Sequence, residues 1–296
     1  VHTLACGHRV RDPEQTHYCS YLGLDQLLSL QPGPEKVRHP EEHLFVVTHQ
    51  SFELWFSQLR TDLPRVIAAL DADDVGHATW LMKRCADVVR MFTPMMRILE
   101  TMTVGGFFAF RHHLVPASGG ESGQWQEIEL MSGAREPELR HHLQKEPEGD
   151  EHGGTFVGMW SERLAELWDA PSVASAAEAL FARRGVRPVE VYEAAHERSG
   201  EWDLSLLAEA MLDYDEEVRI WRFIHARTVE RTIGSATPGT AHTSGVRHLE
   251  RLAMHRLSFF PFLWEGRGEL WERMQPSMPA APPGHGERPD ASRSMG

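Results

Sequence analysis

His49 lies inside "LFVVTHQSFELWF" (residues 44–56), at helical spacing from Phe45, Phe52 and Phe56. His225 continues a second apolar stripe, formed by Tyr214, Val218 and Trp221. An imidazole on an apolar stripe must find partners for its two ring nitrogens. One solution is structural, a neutral ring hydrogen-bonded within the core. The others are chemical: a metal ligand, or a group that holds or moves a proton near neutral pH. The surrounding spacing narrows the choice. The chain has no HExxH pair and no cysteine knuckle for zinc. It also lacks the CxxCH that attaches haem covalently. A single helix-borne histidine is enough to hold haem iron, so these residues permit haem without demanding it.

Long helices must position both histidines. "EEHLFVVTHQSFELWFSQLRTDL" keeps a helical period, and Glu41 and Glu42 after Pro40 suit a helix N-terminus. A second stripe runs through Leu81, Cys85, Val88, Phe92, Met95, Leu99 and Met102, with a kink expected at Pro94. A third runs from Leu207 through Met211, Tyr214, Val218, Trp221 and His225 toward Val229 and Ile233. Shorter helices are expected around 136–145, 155–168, 172–184 and 246–264. No alternating strand pattern of useful length is present. The fold class is therefore all-α, a bundle of long helices. Two Gly-rich stretches, 105–124 and 233–245, read as loops of the length that often carries function. Residues 1–16 form an N-terminal segment, 17–272 one helical domain, and the Pro/Gly/Ser-rich 273–296 a disordered tail.

Bulk properties set further bounds. The chain has 296 residues and a net charge of −13, which argues against a nucleic-acid backbone as partner. No apolar run approaches the ~20 residues of a membrane span. The start, "VHTLACGHRVRDPEQ", has no apolar stretch of a secretory signal, so a cytoplasmic protein is expected. The three cysteines, Cys6, Cys19 and Cys85, make no disulfide framework. Histidine is unusually frequent, with 18 copies, several in pairs such as His112–His113.

Several blocks together resemble one family. "YCSYLGLDQLLSLQPG", "EEHLFVVTHQSFELWF", "FRHHLVPASGGES", "WRFIHARTVERTIGSATPGTAHTSG" and "LSFFPFLW" occur in the order found in tryptophan 2,3-dioxygenases. The resemblance implies an all-helical homotetramer with b-type haem bound between helices. It also implies an enzyme that oxidises the indole ring of tryptophan with dioxygen. By the same resemblance His225 is the axial ligand of the haem iron, and His49 the catalytic histidine facing the indole N–H. Arg111 is implied to hold the substrate carboxylate, as a guanidinium fork can. Thr240 is implied to lie near the substrate ammonium, and Phe45 and Phe107 in the indole pocket. Tyr18 and Tyr21 are implied to reach the site of a neighbouring subunit. For each of these residues ordinary packing or solvation is the competing explanation.

The sequence also departs from the family pattern. Gly120 and Glu121 stand where Phe and Gln are expected in "SGFQS", and Ala241 and His242 replace two glycines of "GTGGSSG". Phe107 stands where some members carry tyrosine. Ala and His resist backbone angles that glycine accepts, so the substrate-side loop is expected to differ. Two outcomes follow for the reaction: ring cleavage to an N-formylkynurenine-type product, or addition of one atom to give a hydroxylated or 2-oxindole-type product, on tryptophan or a substituted tryptophan. A haem-dependent tyrosine hydroxylase type, a non-catalytic haem sensor and a haem-free helical protein are the alternatives. His49 is expected to orient the indole rather than act as an obligatory base, because an indole N–H is a very weak acid.

Overall fold

The structure is a computed structural model that describes residues 2–3, 7, 9–12, 15–115, 117, 122–135, 161–197, 200–237, 246, 249 and 258–275. A two-residue antiparallel pair, β1 (His2–Thr3) and β2 (Arg9–Val10), opens the chain. Every other regular element is helical. Two short helices, α1 (Tyr18–Tyr21) and α2 (Leu24–Ser29), lead to α3 (Pro40–Asp71), α4 (Val75–Arg90), α5 (Phe92–Leu99), α6 (Val104–Arg111) and α7 (Gly123–Ser132). After them come α8 (Glu162–Asp169), α9 (Val173–Arg184), α10 (Pro188–Glu197), α11 (Trp202–Ile233) and α12 (Pro261–Met274).

Helices α3 and α11, each 32 residues long, frame the bundle. The shorter α4 packs against both. Helix α3 begins where its sequence says it should. Pro40 occupies the first turn, the His39 ring accepts from Glu41 N at 3.3 Å, and Glu41 and Glu42 complement the positive end of the helix. It continues through Pro64, beyond the stripe legible in sequence. The turn into α4 uses Asp73 at φ 60° and an Asp74 side chain that accepts from His77 N. The core between the three helices includes Leu59, Leu63 and Leu70 from α3, Leu81 and Met82 from α4, and Leu204, Leu207 and Met211 from α11, all fully buried. Each such leucine contributes roughly 1.5–3 kcal/mol by leaving water.

Two expectations need revision. The kink placed at Pro94 is instead a break of the helical ladder at Met91, whose backbone stays helical at φ −67° and ψ −21°. Pro94 then falls in the first turn of α5, where its missing N–H is harmless. The stretch 105–124 is not one loop: residues 104–111 form α6, and α7 begins at Gly123. Thr103 caps α6 by accepting from Gly106 N at 3.2 Å. Gly106 serves close packing rather than a turn, because a Cβ there would lie 2.7 Å from Glu41 Cγ and 2.8 Å from His39 Cε1. Of the expected short helices, 172–184 is found as α9, and the end of 155–168 overlaps α8. The segment 136–145, most of 246–257 and the tail from 276 lie outside the described residues.

The C-terminal helix is fastened to the centre of α11. The buried Asp215 carboxylate accepts from Phe259 N at 2.9 Å, Trp264 Nε1 at 2.8 Å and the Ser258 hydroxyl. Among the described residues no helix is long and apolar enough to cross a membrane.

Candidate functional site

The apolar interior falls into two clusters. The larger fills the centre of the bundle. The smaller holds Phe107 and Phe110 of α6, Ile233 of α11 and Val246, with Phe45, Met102, Leu114 and Val229 packed against it. Phe45 and Met102 touch both clusters, so the boundary runs between α3, α6 and the second half of α11. Both stripe histidines lie on that boundary. Along α11, Trp221 belongs to the larger cluster and Val229 packs on the smaller, and His225 stands between them on the same face. Along α3, His49 stands between Phe45 and Phe52.

The two rings are held differently. His49 Nδ1 lies 2.7 Å from the carbonyl oxygen of Phe45, one turn back on its own helix. A carbonyl only accepts, so Nδ1 carries the proton and Nε2 is left as an acceptor. The Phe45 ring covers the imidazole at 4.0 Å with a tilt of 34°. His225 makes no hydrogen bond among the described residues, and its ring lies nearly parallel to that of Trp221, 6.1 Å away at 8°.

Electrostatics place the two rings near each other. Burial, with the nearness of His49 adding to it, pushes the His225 pKa down to about 4. Burial also lowers His49, with the Phe45 carbonyl and the Glu53 carboxylate opposing the shift. Both are neutral imidazoles at pH 7. Neither ring is sealed, however, since both residues keep intermediate exposure. Both side chains are desolvated yet still accessible.

Helix α6 adds further rings to the boundary. Phe107 and Phe110 lie 5.9 and 5.5 Å from the Phe45 ring and 5.3 Å from each other. Arg111 ends α6 one turn after Phe107, on the same face. Partial burial lowers its pKa, but a guanidinium stays charged. Thr240 and the departures at Gly120, Glu121, Ala241 and His242 lie outside the described residues. Tyr18 and Tyr21 are not part of this boundary within one chain. They stand 72% and 78% exposed on α1, in a segment that also exposes Leu28 and Leu30. That segment is moored beside His49, because Gln31 Nε2 donates to Gln50 Oε1 at 2.7 Å and Gln50 Nε2 reaches the Leu30 carbonyl.

Two polar links brace the site and are not legible in sequence. Gln124 Nε2 donates to Glu53 Oε2 at 2.8 Å and to the Glu53 carbonyl at 3.0 Å, while its own Oε1 accepts from Arg60 at 3.1 Å. This fixes the start of α7 one turn past His49. Arg222 pairs with Glu129 of α7 at 2.7 Å, with side chains only 10% and 2% exposed. The partners are 93 positions apart, so no local pattern could announce them.

The residues present fit a haem. A ligand imidazole must be neutral with a free nitrogen, and His225 is both. The boundary between two apolar clusters, lined by aromatic rings, suits a flat apolar group, and His49 lies on the same boundary from α3.

Comparison with known proteins agrees with this geometry. The family model described as tryptophan 2,3-dioxygenase matches residues 3–155 and 174–270. A protein named tryptophan 2,3-dioxygenase from Anaeromyxobacter sp. (strain K) is 34% identical over 269 residues, covering 86% of this chain and 96% of its own length. Proteins of the same name from Xanthomonas oryzae pv. oryzae (strain PXO99A) and Xanthomonas campestris pv. campestris (strain B100) are 32% and 31% identical, covering 89% and 90% of this chain.

Proposed function

Because the chain belongs to the tryptophan 2,3-dioxygenase family, whose members oxygenate tryptophan with haem, we propose that it is a haem-dependent tryptophan dioxygenase whose iron is held by His225. The observation that carries this reading is the pair of neutral imidazoles near each other at the boundary between two apolar clusters, one without a hydrogen bond among the described residues and one with a single acceptor nitrogen. The family name of its relatives supports insertion of both oxygen atoms. The departures at Gly120, Glu121, Ala241 and His242 support the second reading, addition of one atom or a substituted indole.

Haem bound at His225 supplies the activation of dioxygen. The protein's own residues do the positioning. Arg111 pairs with the substrate carboxylate through its fork, and Thr240 hydrogen-bonds the amino-acid end. Phe45 and Phe107 confine the indole ring and exclude water. His49 accepts the indole N–H at Nε2, its tautomer set by the Phe45 carbonyl. The C2–C3 bond of the indole is thereby presented to dioxygen. Cleavage of that bond with both atoms retained gives a ketone at former C3 and a formamide at former C2.

The exposed apolar residues of α1 and α2 support a homotetramer in which Tyr18 and Tyr21 cover a neighbour's site. The helical domain is taken as residues 17–272. Haem titration followed by absorption tests the reading. A histidine-ligated Soret band that shifts on adding tryptophan, and shifts less with 1-methyltryptophan, is expected. A protein that takes up no haem overturns it.

A further inference from the structure

Trp221 stands one helical turn before His225 on the same face of α11. Four rings from three other helices grip it. Trp125 lies at 4.5 Å and 69°, Phe92 at 5.4 Å and 65°, Phe52 at 6.1 Å and 37°, and Phe56 at 6.2 Å and 66°. All four are tilted or edge-on. His225 alone among its ring partners lies parallel, at 8°. The indole is 8% exposed. Its N–H is buried without an acceptor among the described residues. A buried donor left unpaired is a cost that phenylalanine would avoid. What the indole adds in return is a larger rigid plane facing His225.

A histidine that holds a metal ordinarily donates its second ring N–H to an acceptor, which fixes the orientation of the ring. His225 has no such acceptor among the described residues. We propose that Trp221 is the positioning residue for His225: its clamped indole plane sets the rotation of the imidazole in place of a hydrogen-bond acceptor. This rests on the reading that His225 holds haem iron. The platform is firm because the next residue, Arg222, ties the same turn to α7 through Glu129 at 2.7 Å. Its guanidinium also lies 6.0 Å over the Trp125 ring that abuts Trp221.

The test compares Trp221→Met, Trp221→Phe and Phe56→Leu with the parent, each as haem-loaded full chain. The iron–histidine stretching band of the reduced protein and the rate of haem loss are measured beside thermal stability. Phe56 touches Trp221 but is not among the rings paired with His225, so its truncation reports packing loss alone. Trp221→Met is expected to shift and broaden the band and to speed haem loss roughly tenfold, the lower end for losing a metal ligand's orienting partner. Trp221→Phe is expected to shift the band less, and Phe56→Leu to lower stability with the band unchanged. If Trp221→Met does not fold, Trp221→Phe against Phe56→Leu still decides. Band shifts that follow lost stability across the variants, Phe56→Leu included, overturn the proposal and leave Trp221 as core packing. A parent protein without a histidine-ligated band refutes the haem reading instead.

Discussion

On α3 an imidazole is pinned through Nδ1 to its own helix. On α11 an imidazole carries no hydrogen bond among the described residues and is held by a flat neighbour. Both face the same apolar boundary and burial lowers both pKas. The contrast separates two kinds of work. A pinned ring has one defined tautomer and offers one acceptor, which suits orienting a donor on a substrate. Each neutral ring keeps one lone pair, but the unpinned ring lacks an acceptor to fix its rotation and lies parallel to its flat neighbour instead.

The largest effect is expected at the unpinned ring. His225→Ala should abolish stable haem binding or leave a spectrum without axial imidazole, whereas His49→Ala should keep both. Equal haem content in parent and His225→Ala would remove the distinction between the two rings.

Next in size is the buried brace behind His225. Arg222→Leu leaves Glu129 with its charge buried, and breaking such a pair costs about 3–5 kcal/mol. Denaturant unfolding should show that loss, with Glu129→Gln/Arg222→Leu recovering part of it. A loss below about 1 kcal/mol, the range of exposed pairs, would mean the pair is not buried in solution.

Arg111 gives a smaller and more selective effect. Arg111→Leu should weaken tryptophan binding by about tenfold or more, since a charge-assisted bond contributes roughly 1.5–3 kcal/mol. Haem content should not change, and indole analogues without a carboxylate should bind as before. Equal weakening of both ligands would point to damage of α6 rather than a lost clamp.

The pinned ring sets the smallest effect, a pH dependence. Burial holds His49 below its ordinary pKa of 6.5, with Glu53 opposing from the same helix and His225 facing it from α11. A lowered pKa keeps Nε2 unprotonated at and above that ordinary value. Tryptophan affinity should therefore stay flat from about pH 8 to about pH 6.5 and fall only in more acid solution, as the ring gains a proton. His49→Phe should flatten that acid limb. An affinity that drops on passing from pH 8 to 7 in the parent would contradict the lowered pKa.

Much of the scaffold was legible because long amphipathic helices write their period into the chain. The stripe from Leu207 to Ile233 lies within one helix, and His49 and His225 drew notice because imidazole interrupts an apolar face. Glycine misled at 105–106, where Gly106 allows α6 to press against the start of α3 rather than making a turn. The bracing pairs Gln124–Glu53 and Arg222–Glu129 left no trace, since each joins residues that only the fold brings near. Trp221 looked like one more apolar position on its stripe. Its parallel stacking on His225 is a matter of side-chain rotation, which spacing does not encode.

The most direct test is turnover of tryptophan by the haem-loaded protein under isotopically labelled dioxygen, with the product mass measured. Ring cleavage with both labelled atoms in an N-formylkynurenine-type product is the expected result. A product carrying one labelled atom would contradict two-atom insertion and favour the second reading. Tryptophan recovered unchanged from protein that holds histidine-ligated haem would contradict tryptophan oxygenation itself.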